Sequence, residues 1–482
     1  MRIAAHPSAE PAPTTADPLR WRALAAIAAG QLMIAADVTI MNIALPSAQH
    51  SLHLSTAQRQ WVITLFALAY GGFLLLGGRL SDLIGRKRCL LIGLAGFAAA
   101  SALGGAAVNP TMLLVARALQ GIFGALFTPS ALALLGTTFT EPSERGKAFG
   151  IYGTVMAGSS GIGLILGGVL TNYLDWRWCM LVSLPIAVGA AAGVSATVRA
   201  TPRRLGTEVD IVGAVLATTG LMALVLGFTR AESQGWATRI TLGVLAAGVI
   251  LLALFVLVES RTGAALLPLR VVRERRRAGA YLAVLCMAIG MFAGFFFLTF
   301  YLQDILGYSP IKAGLAFLPF TAAIMLGVRV IRGFLMRAPL RLLLCPGLLA
   351  CAAGLALLGL LRADGGYVTG ALPVVVLLGL GVGCVLLPAN NIATLGAGPD
   401  TGVAGAIVMT SQQIGASLGT ALLGSIAATA TTAYVHSHAA AADLPARAAV
   451  HGYNVAGLSG AAFLCLATTL VFLLTGPRNP NQ

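Results

Sequence analysis

Long apolar runs, separated by short basic or turn-forming segments, make up most of the chain. Several of these runs contain no Asp, Glu, Lys or Arg, including 89–116, 211–229, 240–258, 278–303 and 401–442. A helix needs roughly 20 residues to cross about 30 Å of hydrocarbon, and these runs are about that long or longer. With charges, prolines and glycines as boundaries, the pattern predicts fourteen membrane-spanning helices, near 23–46, 60–78, 89–108, 111–136, 148–171, 178–198, 210–229, 239–258, 279–302, 312–330, 342–361, 370–393, 402–428 and 451–475.

The composition also indicates an all-α membrane protein. Of the 482 residues, 58% are apolar and only 10% are charged, which is outside the range of soluble globular domains. A net charge of +15 would suggest a nucleic-acid partner in a soluble protein. If the loops alternate between two sides, however, 23 of the 31 Lys and Arg residues fall on one side and seven on the other. By the positive-inside rule the basic side and both termini are cytoplasmic, so we expect a lipid bilayer and no nucleic acid as partner.

A repeat relates two distant spans. Glycines at positions 150, 153, 163 and 167 recur at 402, 405, 415 and 419, with an offset of 252 at all four. This offset relates helix n to helix n+8, as two parallel six-helix halves with two inserted helices would. We therefore predict a disordered cytoplasmic N-terminus (1–20), an N-terminal six-helix half (21–198), two inserted helices (199–260), a basic cytoplasmic loop (261–278) and a C-terminal six-helix half (279–476).

Small residues in the repeated spans allow neighbouring helices to approach closely. The predicted packing positions are Gly153, Gly161, Gly163, Gly167, Gly415 and Gly419. Static close packing and a surface on which the two halves slide would need the same residue types. The sequence therefore leaves both interpretations open.

One carboxylate and one guanidinium lie deep inside the predicted spans. Asp37 is 15 residues after Arg22, which places it about 22 Å from the cytoplasmic edge. Arg117 is six residues after Thr111 in an oppositely directed span, which places it about 21 Å from the same edge. Because an isolated charge in hydrocarbon is costly, both side chains should face the protein interior. Two interpretations of this pair are open. Asp37 and Arg117 form a permanent ion pair that joins spans 1 and 4, or Asp37 is a titrating site that takes up and releases a proton. Asn42, five residues after Asp37, is a candidate for orienting a polar group of a substrate.

The segment GGRLSDLIGRKR (77–88) connects spans 2 and 3 on the predicted cytoplasmic side. Its glycines permit a tight turn, and its carboxylate can pair with a guanidinium from a neighbouring helix end. The spacing resembles the signature loop of the major facilitator superfamily. That resemblance implies a cytoplasmic gating role for Gly78, Asp82, Gly85, Arg86 and Lys87. A basic loop that only anchors two helix ends is the alternative.

Two further segments resemble the fourteen-span drug/proton antiporters of that superfamily. DVTIMNIALP (37–46) is similar to part of their first span, with Pro46 at its helix-breaking position. RALQGIFGA (117–125) resembles their Arg-bearing motif in span 4. The resemblance implies a major facilitator fold and proton-coupled export of drugs or toxic amphipathic compounds, by a monomer in a bacterial inner membrane. The implied proton and substrate pathway contains Asp37, Asn42, Arg117 and Gln120.

The resemblance departs in span 5, where Leu164 occupies a position that the family usually gives to Pro. Because that motif is associated with exporters, a metabolite exporter or an uptake carrier on the same fold stays an alternative. A non-transporting membrane sensor is the alternative of another class, but no loop is long enough for a soluble sensor domain. The sequence has no GxxxxGK[ST] loop for an ATP-driven pump, and we expect no enzyme activity, cofactor or metal.

Overall fold

The computed structural model describes residues 19–139, 141–198, 210–261, 272, 274–334, 338–394, 401–438 and 444–475. Almost all of the predicted disordered segment 1–20 and most of the predicted basic loop 261–278 lie outside these ranges. Two five-residue segments, Tyr301–Ile305 and Tyr367–Ala371, are π-helical. The α-helices are α1 (Arg20–Leu52), α2 (Thr56–Ile84), α3 (Arg86–Gly105), α4 (Pro110–Thr138), α5 (Pro142–Tyr173), α6 (Trp178–Leu181), α7 (Ser183–Thr197), α8 (Ile211–Gln234), α9 (Arg239–Arg261), α10 (Arg275–Phe300), α11 (Pro310–Ala316), α12 (Leu318–Phe334), α13 (Leu340–Leu358), α14 (Leu372–Thr394), α15 (Thr401–Ser437) and α16 (Leu444–Leu474).

Membrane-spanning helices dominate the structure. Within the described ranges, twelve helical stretches are long and apolar enough to cross a bilayer. The fourteen predicted spans include two more helices: α2, which contains the charge-free run 60–78, and α8, whose described apolar stretch is Val212–Phe228. Bulky apolar side chains of α9 such as Ile240, Val249 and Leu254 are exposed, as a lipid-facing helix requires. The fold is therefore that of an all-α membrane protein.

Prolines divide some helices but not others. The predicted sixth span divides into α6 and α7 at Val182, ahead of Pro185. The predicted tenth span divides into α11 and α12 at Phe317, ahead of Pro319. A proline has no N–H, and its ring collides with the carbonyl four residues earlier, which interrupts the helical hydrogen bonds. In contrast, α1 continues through Pro46 for a further one and a half turns, so this proline does not end the helix as predicted.

The repeated glycines pack against equivalent helices. A methyl group on Gly163 of α5 would lie 2.7 Å from the Ala36 carbonyl oxygen of α1. A methyl group on Gly415 of α15 would lie 2.8 Å from Ala288 Cβ of α10. Both residues of the second pair follow their counterparts by 252 positions, which is the offset found in the sequence. The groups α1–α7 and α10–α16 therefore contain the same helix pair in the same register.

The two groups of helices are in close contact toward one end of the bundle. We call the opposite end the basic end, because it carries Arg20, Arg86, Lys87, Arg145 and Arg277. Toward the opposite, far end, a methyl group on Gly168 of α5 would lie 2.7 Å from Ile311 Cα of α11. Toward the basic end, no described atom of a neighbouring helix lies within 4 Å of a methyl group placed on Gly153 or Gly405. Gly153 and Gly405 therefore face open space at the basic end.

Helix α8 covers the seam where α2 and α15 meet. The seam is bridged by a buried hydrogen bond of 2.8 Å between the hydroxyls of Thr64 and Thr420. Gly72 of α2 allows Thr218 of α8 to approach, since a methyl group there would lie 3.0 Å from its hydroxyl oxygen. A small apolar cluster joins the three helices, formed by Leu68, Leu221, Val225 and Ala421. Helix α8 thus contacts both groups of helices at once.

Candidate functional site

The candidate site is a buried hydrogen-bonded cluster that joins α1, α3 and α4. Arg117 Nη1 donates to Asp37 Oδ2 at 2.5 Å and to Gln120 Oε1 at 2.7 Å. Gln120 Nε2 donates to Asp37 Oδ1 at 3.1 Å and to Ser101 Oγ at 2.8 Å. All four residues are at most 1% exposed. Asp37 and Arg117, which their positions along the chain place at a similar depth in the membrane, are thus in direct contact.

Arg117 is also held by α2. Its Nε donates to the Val62 backbone carbonyl at 3.1 Å, and its guanidinium lies 4.5 Å from the centre of the Phe66 ring. Its Nη2 has no hydrogen-bond partner among the described residues. Arg117 and Gln120 are three residues apart, so one face of α4 presents both to α1 and α2. The guanidinium therefore contacts α1, α2 and its own helix α4, and its Nη2 is available for a further acceptor.

Burial makes this ion pair costly to form and costly to break. Removing a carboxylate and a guanidinium from water costs several kcal/mol for each ion, and their attraction offsets this only with good geometry and further hydrogen bonds. Asp37 accepts two hydrogen bonds here and Arg117 donates three. Loss of one partner alone would cost about 3–5 kcal/mol, because the other charge stays buried.

Asn42 lies outside this cluster. Its Nδ2 donates to the Val38 carbonyl of the preceding turn at 2.9 Å. The next backbone carbonyl, that of Ile43, accepts a hydrogen bond of 3.0 Å from Gln303 Nε2 in the π-helical segment after α10. The structure therefore places the Asn42 amide against its own helix, whereas the backbone beside it contacts the C-terminal group of helices.

The signature segment 77–88 contains one helix break rather than an extended loop. Helix α2 ends and α3 begins on either side of Gly85, whose φ of 100° lies in the region that residues with a Cβ rarely adopt. Lys87 Nζ donates to the carbonyls of Ser195 at 2.9 Å and Val198 at 2.5 Å, at the C-terminal end of α7. A cation is favourable at that end of a helix, because carbonyl groups without partners accumulate there.

The other residues of the signature segment face α4 where they are described. Arg86 Nη1 donates to the Ala133 carbonyl at 3.2 Å. A methyl group on Gly78 would lie 3.7 Å from Pro129 Cβ, which is an ordinary packing distance. The side chain of Asp82 lies outside the described residues. The segment thus fixes the junction of α2 and α3 against α4 and α7.

The predicted packing glycines differ in how closely their neighbours approach. Gly161 is in ordinary contact, with Thr321 of α12 3.5 Å from a methyl group placed there. Gly153 has no described neighbour within 4 Å, so its predicted packing contact is absent from the described part of the chain. Four of the glycines leave little or no room for a methyl group: Gly163, Gly167, Gly415 and Gly419.

A cavity of about 450 Å³ lies near the far end, between α2 and the C-terminal group of helices. Arg59 and Gln60 of α2 line it together with Asp304 and with Tyr453 of α16. The Arg59 guanidinium lies 4.2 Å from the centre of the Phe300 ring. The volume is within the range of binding sites for small organic molecules. The cavity combines aromatic and charged groups.

Sequence reasoning missed Ser101, which belongs to the buried cluster, and Phe66, which packs against its guanidinium. Ser101 is a lone serine in the apolar run 89–116, and such a serine has no recognisable pattern. Phe66 is one of 19 phenylalanines, most of which pack in apolar surroundings. The depth argument applies to charged side chains only, so it could find Asp37 and Arg117 but not their neutral partners.

Comparison with known proteins identifies the family. The family model described as Major Facilitator Superfamily matches residues 27–420, which is most of the chain. The chain belongs to the major facilitator superfamily. It is therefore a membrane transporter and not an enzyme.

Curated relatives include antibiotic resistance and export proteins of Streptomyces. The puromycin resistance protein of Streptomyces alboniger is 46% identical over 468 residues, which cover 96% of this chain and 92% of that protein. The tetracenomycin C resistance and export protein of Streptomyces glaucescens is 36% identical, with 88% and 79% covered. The lincomycin resistance protein of Streptomyces lincolnensis is 33% identical, with 84% of each chain covered.

Solved structures of transporters share the fold. A bacterial homologue of the human lysosomal transporter Spinster, in an inward-facing conformation, has a TM-score of 0.67 at 17% identity, with 95% of this chain and 97% of that chain covered. An auto-inhibited peptide transporter of the POT family has a TM-score of 0.68 at 16% identity, with 96% and 98% covered. At these identities the likeness concerns the fold.

Proposed function

We propose that this transporter exports drugs or other toxic amphipathic compounds from a bacterial cell in exchange for protons. The observation that carries the proposal is the Asp37 carboxylate, which is 1% exposed and bonded to Arg117 and Gln120. A buried carboxylate beside a cationic partner can take up a proton on one side of a membrane and release it on the other. The resistance proteins to which the chain is similar over nearly its whole length support export as the direction.

The proton cycle uses the contacts of Asp37. The ionised carboxylate holds Arg117 and thereby joins α1 to α4. When the site is open to the outside, a proton neutralises Asp37 and weakens its hold on the guanidinium. When the site is open to the cytoplasm, the proton leaves, the pair forms again, and the compound to be exported binds. The two processes alternate, so each proton that enters drives outward movement of the compound.

The membrane arrangement follows from the charge distribution. In this proposal the basic end is cytoplasmic, by the positive-inside rule. The open space between the helix groups then faces the cytoplasm, which is the conformation in which an exporter takes up its substrate. Segments 21–198 and 279–476 act as the two moving halves, α2 and α8 complete fourteen spans, and both termini are cytoplasmic. One chain contains both halves and the pathway, so it works as a monomer in the cell membrane.

The alternative is a proton-coupled uptake carrier or metabolite exporter on the same fold. Leu164, which replaces the Pro that exporters of this family usually have, is the observation that favours it. An uptake carrier would move protons and substrate in the same direction, so a measured flux decides between the two.

The test has two steps. A panel of antibiotics and cationic dyes is applied to a bacterial host lacking its main efflux pumps, with and without this chain. A compound to which the chain confers resistance is then used in inverted membrane vesicles under an imposed pH gradient. We expect uptake into these vesicles with wild-type protein and none with Asp37→Asn. Asp364→Asn is the matched control, because Asp364 is an exposed carboxylate that also pairs with an arginine, Arg362. Full activity of Asp37→Asn, or substrate movement along the proton gradient, would contradict the proposal.

A further inference from the structure

A second buried polar cluster lies in the N-terminal group of helices. Thr128 Oγ1 donates to Gln31 Oε1 at 3.2 Å, and Tyr152 OH donates to the same oxygen at 2.7 Å. Tyr70 OH lies 2.7 Å from Thr128 Oγ1 and donates to it, because the Thr128 hydrogen is already used. The four residues are at most 7% exposed. We call them the tyrosine cluster.

The helices that hold the Asp37 site also build the tyrosine cluster. Helix α1 carries both Asp37 and Gln31, which are six residues and about 9 Å apart along the axis. Helix α4 carries both Arg117 and Thr128. A shift of α1 relative to α4 therefore changes the geometry of both clusters together.

Helix α2 connects the two clusters through stacked side chains. The Phe66 ring lies under the Arg117 guanidinium. It also stacks with the Tyr70 ring, with 5.7 Å between ring centres and 12° between ring planes. These contacts connect Arg117 to Tyr70 and, through the Tyr70 hydroxyl, to Thr128.

Helix α5 takes part in the tyrosine cluster through Tyr152. Its far half contacts the C-terminal group of helices, at Gly168 against Ile311 and at Gly161 against Thr321. The hydrogen bond of Tyr152 to Gln31 attaches its basic-end half to the helix that carries Asp37. Helix α5 thus links the proton site to the opposite half of the transporter.

We propose that Tyr152 is a positioning residue that couples the charge state of Asp37 to the tilt of α5, and through it to the opening and closing of the basic end. This inference rests on the proposed proton coupling. When Asp37 releases Arg117, α1 and α4 shift and Gln31 moves with α1. A hydrogen bond weakens steeply when its angle or length changes. The Tyr152 hydroxyl therefore responds to the state of Asp37.

The test measures the opening of the basic end directly and needs no knowledge of the substrate. Gly405→Cys, in a full-length protein without native cysteines, places a thiol in the open space at the basic end. Its rate of labelling by a water-soluble thiol reagent is measured at acidic and at alkaline pH and divided at each pH by the rate for a free thiol in solution, because the thiolate is the reacting form and its fraction changes with pH. Tyr152→Phe removes only a hydroxyl from α5. Tyr173→Phe is the matched control, because Tyr173 lies on the same helix and is 71% exposed.

We expect the acid-to-alkaline ratio of labelling rates to depart from one in the parent and in Tyr173→Phe. In Tyr152→Phe the departure should shrink by about five- to tenfold, which is the effect of one buried hydrogen bond on an equilibrium. Gln31→Met should do the same, and adding Tyr152→Phe to it should have no further effect. A merely structural role would lower the thermal stability and leave the ratio unchanged.

Two results separate failure of this inference from failure of the proposed function. If the ratio is the same in the parent and in Asp37→Asn, Asp37 does not control the conformation, and both proposals are wrong. If the ratio depends on Asp37 but is unchanged in Tyr152→Phe, the proton-coupled mechanism stands and the role of Tyr152 is overturned. Additive effects of Gln31→Met and Tyr152→Phe would also overturn it, because the two groups would then act independently.

Discussion

Replacing Asp37 by Asn separates the charge of the site from its shape. The amide keeps an oxygen that can accept from Arg117, but it cannot exchange a proton. Arg117 then lacks a carboxylate, yet it keeps the Gln120 oxygen at 2.7 Å, the Val62 carbonyl at 3.1 Å and the face of Phe66. Breaking a buried pair costs about 3–5 kcal/mol, and with these remaining contacts we expect a loss of about 3 kcal/mol in the free energy of unfolding.

The reciprocal variant tests whether that loss comes from an unpaired charge. Arg117→Gln leaves the Asp37 carboxylate buried, with Gln120 as its one hydrogen-bond donor among the described residues. We expect a comparable or larger loss, of about 3–5 kcal/mol. The double variant contains no buried charge at this position, and its amides can bond to each other. Since neutral replacements of a buried pair are often without net cost, we expect the double variant to recover most of the stability.

Transport should follow a different order from stability. Membrane abundance and thermal stability in detergent report the folded state, whereas pH-gradient-driven dye accumulation in inverted vesicles reports coupling. All variants that lack the Asp37 carboxylate should fail to accumulate dye, including the stable double variant. If the double variant regained gradient-driven transport, the pair would be a structural clamp and Asp37 would not carry the proton.

Further predictions concern the membrane orientation and the signature segment. In intact cells, an impermeant thiol reagent should label a single cysteine in Arg239→Cys but not one in Arg275→Cys. Labelling at position 275 would contradict the proposed orientation. Lys87→Met removes both contacts to the end of α7 and should lower the free energy of unfolding by about 1.5–3 kcal/mol in detergent, whereas the same change at the exposed Arg88 should have little effect. Asp82→Asn should slow transport without reducing membrane insertion, and a wild-type rate would show that the segment is only an anchor.

The sequence predicted the features that depend on the cost of placing polar groups in hydrocarbon. Apolar runs of sufficient length must be helical there, because every backbone group needs a partner within its own segment. The same cost requires that a buried acid and a buried base face the protein interior, so their equal depth made an ion pair between Asp37 and Arg117 one of the two interpretations, and the structure places them in contact. Both arguments need only spacing along the chain.

Features that depend on packing between helices could not be predicted in this way. Pro46 lies within a continuous helix and Pro185 follows a break, although both are prolines in apolar runs. The neighbours of each helix decide which outcome costs less, and a single sequence does not show them. Gln31 and Tyr152 meet for the same reason: they are 121 residues apart, and nothing in their local sequence relates them.

Leu164 affects the mechanical properties of α5. The carbonyl of Leu164 contacts Gly314 of α11, so this part of α5 lies against the opposite half. A proline at this position would remove an N–H from the helical hydrogen bonds and kink the helix between Tyr152 and Gly168. With leucine, α5 is a continuous helix from Pro142 to Tyr173. Tyr152 and Gly168 are therefore 16 residues, or about 24 Å, apart along one regular helix. A continuous helix tilts as one body, whereas a kinked one can bend at the kink. The leucine that departs from the family pattern therefore favours direct transmission of movement from the Gln31 contact to the Ile311 contact.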